Sequence, residues 1–244
     1  MSFSYDATNY HGYQKQPKLR TIQQTIEDAL TSINGGKTVI IHATSRTDRG
    51  VHAINQKAHF DFETNITNFK LKRALNSKLP DDIHVNDVKF VDDNFHARYN
   101  AIKKEYVYII NMGEYNPIER NSVFQYNKNL DVEKMKDAIK SFAGEHDFTS
   151  FVCAEDLKEN NNRIIFEASI KEDGNKLYIT FIGTGFLKYQ VRNMIGTLIE
   201  VGINKREPSS IEFILKSKDR RKAGKTAKPE GLYLKNIWFE DKDL

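Results

Sequence analysis

The chain of 244 residues contains one cysteine, Cys153. A single thiol cannot close an intrachain disulfide, so a disulfide-stapled secreted fold is excluded. Long apolar runs are missing as well, since none approaches the roughly 20 residues needed to span a bilayer. The opening MSFSYDATNY lacks the cationic start and apolar stretch of a signal peptide. These absences predict a soluble, cytoplasmic protein with no membrane partner. Several catalytic signatures are also lacking. There is no HExxH and no cysteine pair for zinc, and no GxSxG elbow for a serine hydrolase. Gly183 and Gly185 form a GxG pair, but no third glycine follows at the offset of a dinucleotide loop. Net charge is small: 37 Lys and Arg stand against 33 Asp and Glu, a formal +4 that identifies no nucleic-acid partner by itself.

What is present argues for a folded protein. The hydrophobic fraction is 39%, with 15 Phe and 11 Tyr, enough to bury a core in one large domain or two ordinary ones. Charge is unevenly spread. Residues 216–228 (KSKDRRKAGKTAK) hold seven Lys or Arg against one Asp. Such a segment attracts phosphates, with Arg220, Arg221, Lys222 and Lys225 as candidate RNA contacts. From charge alone it also reads as an exposed, mobile loop around Gly224.

The order of elements repeats. Phe3–Asp6 is a strand candidate. Thr21 and Gln24 form a capping box for a helix whose Ile22, Ile26, Ala29, Leu30 and Ile33 share a face, and Gly35 ends it. Thr38–His42, Lys57–Phe62 and Ile83–Val91 read as strands, with a short helix over Phe69–Lys78 capped by Asn68 and stopped before Pro80. The second half begins with a long strand, Arg98–Ile110. Asp131 caps a helix with Met135, Ala138, Ile139 and Phe142 on one face, ended by Gly144. Ile164–Lys171 and Lys176–Ile182 form a hairpin across Asp173-Gly174. A helix follows from Gln190 to Val201, another over Pro208–Lys216, and a last strand over Gly231–Glu240. Each half thus reads βαββαβ, the order of a ferredoxin-like unit. The predicted class is α+β. Residues 1–99 and 100–244 form two units with antiparallel sheets, whose uncovered faces are free to line a central cleft.

One stretch stands out chemically: Ser45-Arg46-Thr47-Asp48-Arg49-Gly50-Val51-His52-Ala53. It follows the apolar run Val39-Ile40-Ile41, read as a buried strand. A free Asp has a pKa of about 3.9, and neighbouring arginines push it lower. Asp48 is then a carboxylate at neutral pH, suited to a nucleophile and not to a general acid. An acid before a glycine also serves simply to cap a turn. Arg46, two residues earlier on an extended segment, shares a side with Asp48. Tyr106 and Tyr108 alternate on the long strand, either as core or as a stacking platform for an unpaired base. His42, His52 and His59 surround the Asp48 stretch. They are read as structural, with no metal assigned, because a site needs about three or four convergent ligands.

The nonamer resembles the active-site signature of the TruA family of tRNA pseudouridine synthases, Gly-Arg-Thr-Asp-x-Gly-Val-His, with Ser45 in place of the glycine. Lys104-Glu105-Tyr106 resembles that family's Lys-x-Tyr motif. Gln190-Val191-Arg192-Asn193-Met194-Ile195-Gly196 resembles its Gln-x-Arg-x-Met-x-Gly segment. Phe95-His96-Ala97-Arg98, Asp147-Phe148-Thr149-Ser150-Phe151 and Ala227-Lys228-Pro229-Glu230-Gly231-Leu232 extend the likeness over most of the chain. Two positions depart from the pattern: Ala7 stands where glycine is usual, and Tyr13 where tryptophan is usual.

The resemblance implies a residue-by-residue site. Asp48 is the catalytic carboxylate. Arg46 helps displace the target base and holds the flipped state. Tyr106 lies against the uracil, Arg192 pairs with the catalytic Asp, and Leu232 closes the uracil pocket. The implied reaction converts uridine to pseudouridine at positions 38, 39 and 40 in the anticodon stem-loop of tRNA. It is redox-neutral and uses no cofactor. The implied assembly is a homodimer that holds one tRNA across both subunits. Two alternatives stay open at this level. One is a non-catalytic RNA-binding protein of two RRM-like units, against which no RNP1-like run is found. The other is a divergent paralogue that modifies another RNA position.

Overall fold

In the computed structural model, which describes residues 1–62 and 66–240, the chain divides into two units. Met1–Ile102 with Tyr233–Leu244 form one, and Lys103–Leu232 form the other. The last strand thus groups with the first hundred residues, whereas the sequence reading kept residues 100–244 together.

The first unit is set by strong local signals. Thr21 caps α1 (Ile22–Ile33) by accepting from the Gln24 amide at 3.4 Å. The second half of the capping box is not made, because Gln24 turns to Asp28 at 2.5 Å. Beyond the helix, Gly35 and Gly36 take φ of 64° and 87°, a backbone that favours glycine. Strand β1 (Ser2–Tyr5) buries Phe3 and Tyr5. It runs antiparallel to β3 (His52–His59) on one side and to β4 (Ile83–Asp87) on the other. Helix α2 (Asn68–Lys78) packs along β4, capped by Thr67, one residue before the expected Asn68. Strand β2 (His42–Ala43) pairs antiparallel with the end of β3, and β10 (Leu232–Phe239) runs parallel to its beginning, with Tyr233 opposite His52. The order β1-α1-β2-β3-α2-β4 matches the expected βαββαβ sequence of elements.

One expected strand is largely absent. Of Thr38–His42 only His42 joins the sheet, and Ile40 is 57% exposed, not buried. The backbone there bonds to helix side chains instead of to a neighbouring strand. The Val39 amide donates to Thr31 Oγ1 at 3.2 Å, and the Ile41 amide to Glu27 Oε1 at 3.2 Å. Glu27 is itself buried and also accepts from Gln23 Nε2 at 2.8 Å. Buried amides need partners, but a carboxylate on a helix serves as well as a ladder.

The second unit is built on the long strand β5 (Ala101–Asn111). It pairs antiparallel with β9 (Lys176–Gly183), which pairs with β8 (Asn162–Asp173), which pairs with β7 (Gly144–Asp147). A two-residue strand β6 (Phe124–Gln125) adds in parallel to β5. The β8–β9 hairpin turns at Gly174 and Asn175, with Asp173 opposite Lys176. Alternate residues of β9, Leu177, Ile179 and Phe181, are fully buried. Phe181 meets Phe142, in the turn that follows α3 (Val132–Ile139, capped by Asp131), and α3 packs against α4 (Gln190–Gly202). Phe142 lies 5.2 Å from Phe151 at 80° and 6.0 Å from Phe181 at 79°. Such edge-to-face pairs add about 0.5–1.5 kcal/mol each beyond their burial. Ser150 Oγ donates to Ile214 O at 2.6 Å, fastening α5 (Ser210–Ser217) to the same core. Both units mix helices with mostly antiparallel strands, an α+β protein.

Candidate active site

Asp48 lies on the connection from β2 to β3, and nearly every residue before it is tied down. Thr44 Oγ1 donates to Ala97 O at 2.9 Å, and the Thr44 amide donates to Lys57 O at 2.9 Å. The fully buried Gln56 reaches from β3 and holds Ser45 by both backbone groups, at 3.3 Å and 2.8 Å. Thr47 O accepts from the Tyr13 amide at 3.1 Å, and Thr47 Oγ1 shares a 2.8 Å hydrogen bond with Tyr5 Oη. Asp48 O then accepts from the Val51 amide at 3.1 Å, closing a turn in which Gly50 takes φ 75°. That left-handed third position is what a type II turn requires of glycine. Ser45 and Thr47 are buried, Arg46 is exposed and Asp48 is half-buried. The alternation puts Arg46 and Asp48 on the open side of a segment anchored through Ser45 and Thr47.

Residues that the motif itself does not contain back this loop. Gly12 has φ 93°, and a side chain there would meet Thr47 O at 3.2 Å and the Arg49 amide nitrogen at 3.3 Å. Tyr13 is buried beside Tyr5, with ring centroids 6.4 Å apart. Its hydroxyl has no hydrogen-bond partner among the described residues. Burial pushes the Tyr13 phenol well above its ordinary pKa, Tyr5 and Glu27 add to the rise, and Arg46 opposes it. Sequence reasoning noted Tyr13 only as a departure from a pattern. The signal for its role is the adjacent Gly12, whose backbone only glycine adopts without strain.

In the second unit, Tyr106 is 8% exposed and meets Phe186 edge-on at 5.1 Å. Tyr108 is wholly buried and donates to Lys228 O at 2.8 Å. Burial, with Glu230 adding and Arg192 opposing, holds its phenol well above the ordinary value. Leu232 is buried at the head of β10. Arg192 sits in the first turn of α4, half-buried, with its guanidinium carbon 5.0 Å from the Tyr189 ring centroid. Tyr189 precedes the helix at φ 63°, an uncommon conformation for a bulky residue. The Asn193 amide, donating to Tyr189 O at 2.8 Å, holds it there.

Arg192 is locked to the loop that leads to Leu232. Its Nε donates to Ala227 O at 2.8 Å, and the Ala227 amide returns a bond to Arg192 O at 3.0 Å. The approach depends on Gly196, where a Cβ would fall 1.6 Å from Lys225 O. Gly224 is pressed too, though less tightly, with a Cβ position 2.8 Å from Thr197 Cα. The basic segment is therefore not a free loop at this end. Gly224 serves close packing there, and its φ is not positive.

The four basic candidates differ in kind. Arg220 is half-buried and donates to Gly224 O and Asn193 Oδ1, both at 2.9 Å, and to Thr226 Oγ1 at 3.2 Å. Its guanidinium braces the loop, and burial lowers its pKa. Arg221 is exposed and chelates Asp219, whose carboxyl is drawn down to about 2 by that hydrogen bond. Lys222 and Lys225 are exposed. Two of the histidines near the motif, His42 and His59, cluster with His96 in the first unit, whereas His52 stacks on Tyr233 and accepts from the Ala7 amide at 3.2 Å. The His59 ring lies 5.0 Å from His42 and 4.5 Å from His96, and its Nδ1 accepts from the Ala97 amide at 3.1 Å. No group of three or more His, Cys, Asp or Glu is arranged to hold a metal ion among the described residues. Among the same residues no helix is long and apolar enough to cross a membrane.

Comparison with known proteins gives consistent relatives. The family model described as tRNA pseudouridine synthase matches residues 1–100 and 138–240. A tRNA pseudouridine synthase A of Streptococcus pneumoniae strain Hungary19A-6 is 43% identical over 243 residues, covering 98% of each chain. The protein of the same name from serotype 19F strain G54 is equally similar, 43% over 243 residues and 98% of each chain. Among solved structures, that of a Cbf5-Nop10-Gar1 complex covers 82% of this chain and 54% of its own at 12% identity. Its TM-score is 0.35, too slight a likeness to bear on fold or function.

Proposed function

We infer the reaction from kinship and chemistry together: the chain belongs to the tRNA pseudouridine synthase family and isomerises uridine to pseudouridine in tRNA. The reaction breaks the N1–C1′ bond, turns the uracil and joins C5 to C1′; C5 gives up its proton and N1 takes one up. No electrons are gained or lost, so the chemistry calls for a carboxylate and a positioned base, not a redox cofactor.

We assign the carboxylate to Asp48. The observation that carries this is its setting, half-buried on a loop fixed at Ser45 and Thr47 and following the family's Arg-Thr-Asp order. An anion held by its neighbours' backbone needs little reorganisation at the moment of reaction. In our reading Arg46 and Arg192 grip the flipped nucleotide, and Arg192 also orients Asp48. Tyr106 and Leu232 bound the uracil. Extruding a paired base costs a few kcal/mol, offset by phosphate contacts from Arg221, Lys222 and Lys225. We read each unit as ferredoxin-like, supported in the first by the strand order β4-β1-β3 with β2 on β3. We place the protein in the cytoplasm, as a homodimer acting on uridines 38, 39 and 40 of the anticodon stem-loop.

The test is tritium release from tRNA carrying uracil labelled at C5, followed by carbodiimide primer extension. Release with pseudouridine at positions 38 to 40 is expected. Pseudouridine at another position would keep the chemistry and overturn the substrate assignment, as a divergent paralogue requires. Binding without release would remove the enzymatic reading.

A further inference from the structure

We propose that Tyr5 and Thr47 are positioning residues for the reaction: the hydrogen bond between their hydroxyls, with the Gly12–Tyr13 backbone seated on the same loop, fixes the direction of the Asp48 carboxylate. The inference rests on Asp48 as the catalytic group and adds what holds it in place.

Three constraints converge on the residue directly before Asp48. Thr47 O accepts from the Tyr13 amide at 3.1 Å. Thr47 Oγ1 and Tyr5 Oη are 2.8 Å apart in a buried hydrogen bond. Thr47 O also lies 3.2 Å from where a side chain at residue 12 would begin, so the loop sits this close only because that residue is glycine. Tyr5 is a rigid anchor. It ends β1, is paired with Ala53 on one side and Ile83 on the other, and is 4% exposed. Its ring packs 6.0 Å from Phe3 and 6.4 Å from Tyr13. The hydroxyl pair thus carries the fixed position of the central strand to the backbone of Asp48. Gln56 does the same for Ser45 but acts three residues away, and Val51 closes the loop only after Asp48. Tyr5→Phe takes from the buried Thr47 Oγ1 its 2.8 Å partner, which favours a shifted loop. A displacement of about 1 Å at a reacting group can cost on the order of a hundredfold in rate.

The test compares Tyr5→Phe, Thr47→Val, Thr47→Ser and the double variant Tyr5→Phe/Thr47→Val in the full-length protein, measuring kcat and KM for tRNA by tritium release. Tyr5→Phe and Thr47→Val are each expected to lower kcat by about ten- to a hundredfold with KM unchanged. The double variant should be no worse than the worse single one, since both remove the same bond. Thr47→Ser, which keeps the hydroxyl, should restore most of the rate. Tyr5→Phe removes one oxygen atom, so a misfolded Thr47→Val leaves the question answerable. Wild-type kcat in Tyr5→Phe, or a loss confined to KM, overturns the proposal. Asp48→Asn run alongside separates the two ideas. If it stays active, the catalytic assignment fails. If it is dead while Tyr5→Phe is fully active, the assignment stands and the positioning role falls.

Discussion

Gly196→Ala is a substitution whose sign separates local from tertiary effects. Gly196 lies inside α4, where alanine is favoured over glycine by about 1 kcal/mol. Were the helix alone to decide, the variant would be more stable. The neighbouring loop reverses this. The new methyl carbon would fall 1.6 Å from Lys225 O, which is backbone and cannot swing aside like a side-chain tip. The loop must lift, and three bonds go with it: Arg192 Nε to Ala227 O at 2.8 Å, the Ala227 amide to Arg192 O at 3.0 Å, and the Gly224 amide to Thr197 Oγ1 at 2.9 Å. At about 1 kcal/mol each the loss is about 3 kcal/mol. Subtracting the helix gain leaves about 2 kcal/mol of destabilisation, or a Tm lower by about 4–8 °C for a chain of this size. Thermal unfolding by circular dichroism measures this directly. Tritium release should fall as well, because Arg192 loses the partner that orients it. A Gly196→Ala variant as stable as the parent, or more so, would refute the close packing of helix and loop.

The other expectations are more local. Tyr13→Phe removes a buried hydroxyl that has no partner among the described residues, and should raise stability by about 1 kcal/mol, read as a higher Tm; a lower Tm would mean the hydroxyl is bonded in solution. Charge neutralisation at Arg221, Lys222 and Lys225 should leave Tm close to the parent's but weaken tRNA binding, lowering the salt slope by about 0.7–0.9 per lost phosphate contact. Arg220→Glu should destabilise the fold itself, since its guanidinium braces Gly224, Asn193 and Thr226; equal stability of the Arg220 and Arg221 variants would contradict this. Burial, then His96 and His42, lower the pKa of His59, with Asp61 opposing. A histidine whose folded pKa is depressed stays neutral in the native state, so stability is full above its unfolded value of about 6.5 and declines as pH falls below it. Unfolding midpoints from pH 7.5 to 5.5 should therefore fall less in His59→Gln than in the parent, and identical slopes would exclude His59 as the group responsible.

Much of this architecture was legible in the sequence because its signals are local. Thr21, Asp131 and the Gly174 turn each act within four residues, and the helices and hairpin they mark formed close to their expected bounds. The Asp48 loop could be singled out because the residues of its motif are contiguous. What escaped depends on partners distant in sequence. Nothing in Val39-Ile40-Ile41 announces that Thr31 and Glu27 will take its amides in place of a strand. The parallel pairing of β10 with β3 joins residues 233 and 52, beyond the reach of any window. Arg220 looked like its neighbours in a run of cations, and only folding gives it buried acceptors. Gly12 and Gly196 were visible as glycines, but the reason for each is a backbone from elsewhere in the chain lying against it.

The most direct measurement is tritium release by Asp48→Asn under single-turnover conditions, with tRNA affinity and Tm determined on the same protein. The substitution is nearly isosteric and removes only the negative charge. We expect no release above the enzyme-free rate, with tRNA binding and Tm close to the parent. Release within tenfold of the parent would contradict the account, because a carboxylate that can be dispensed with is not the group that carries the reaction.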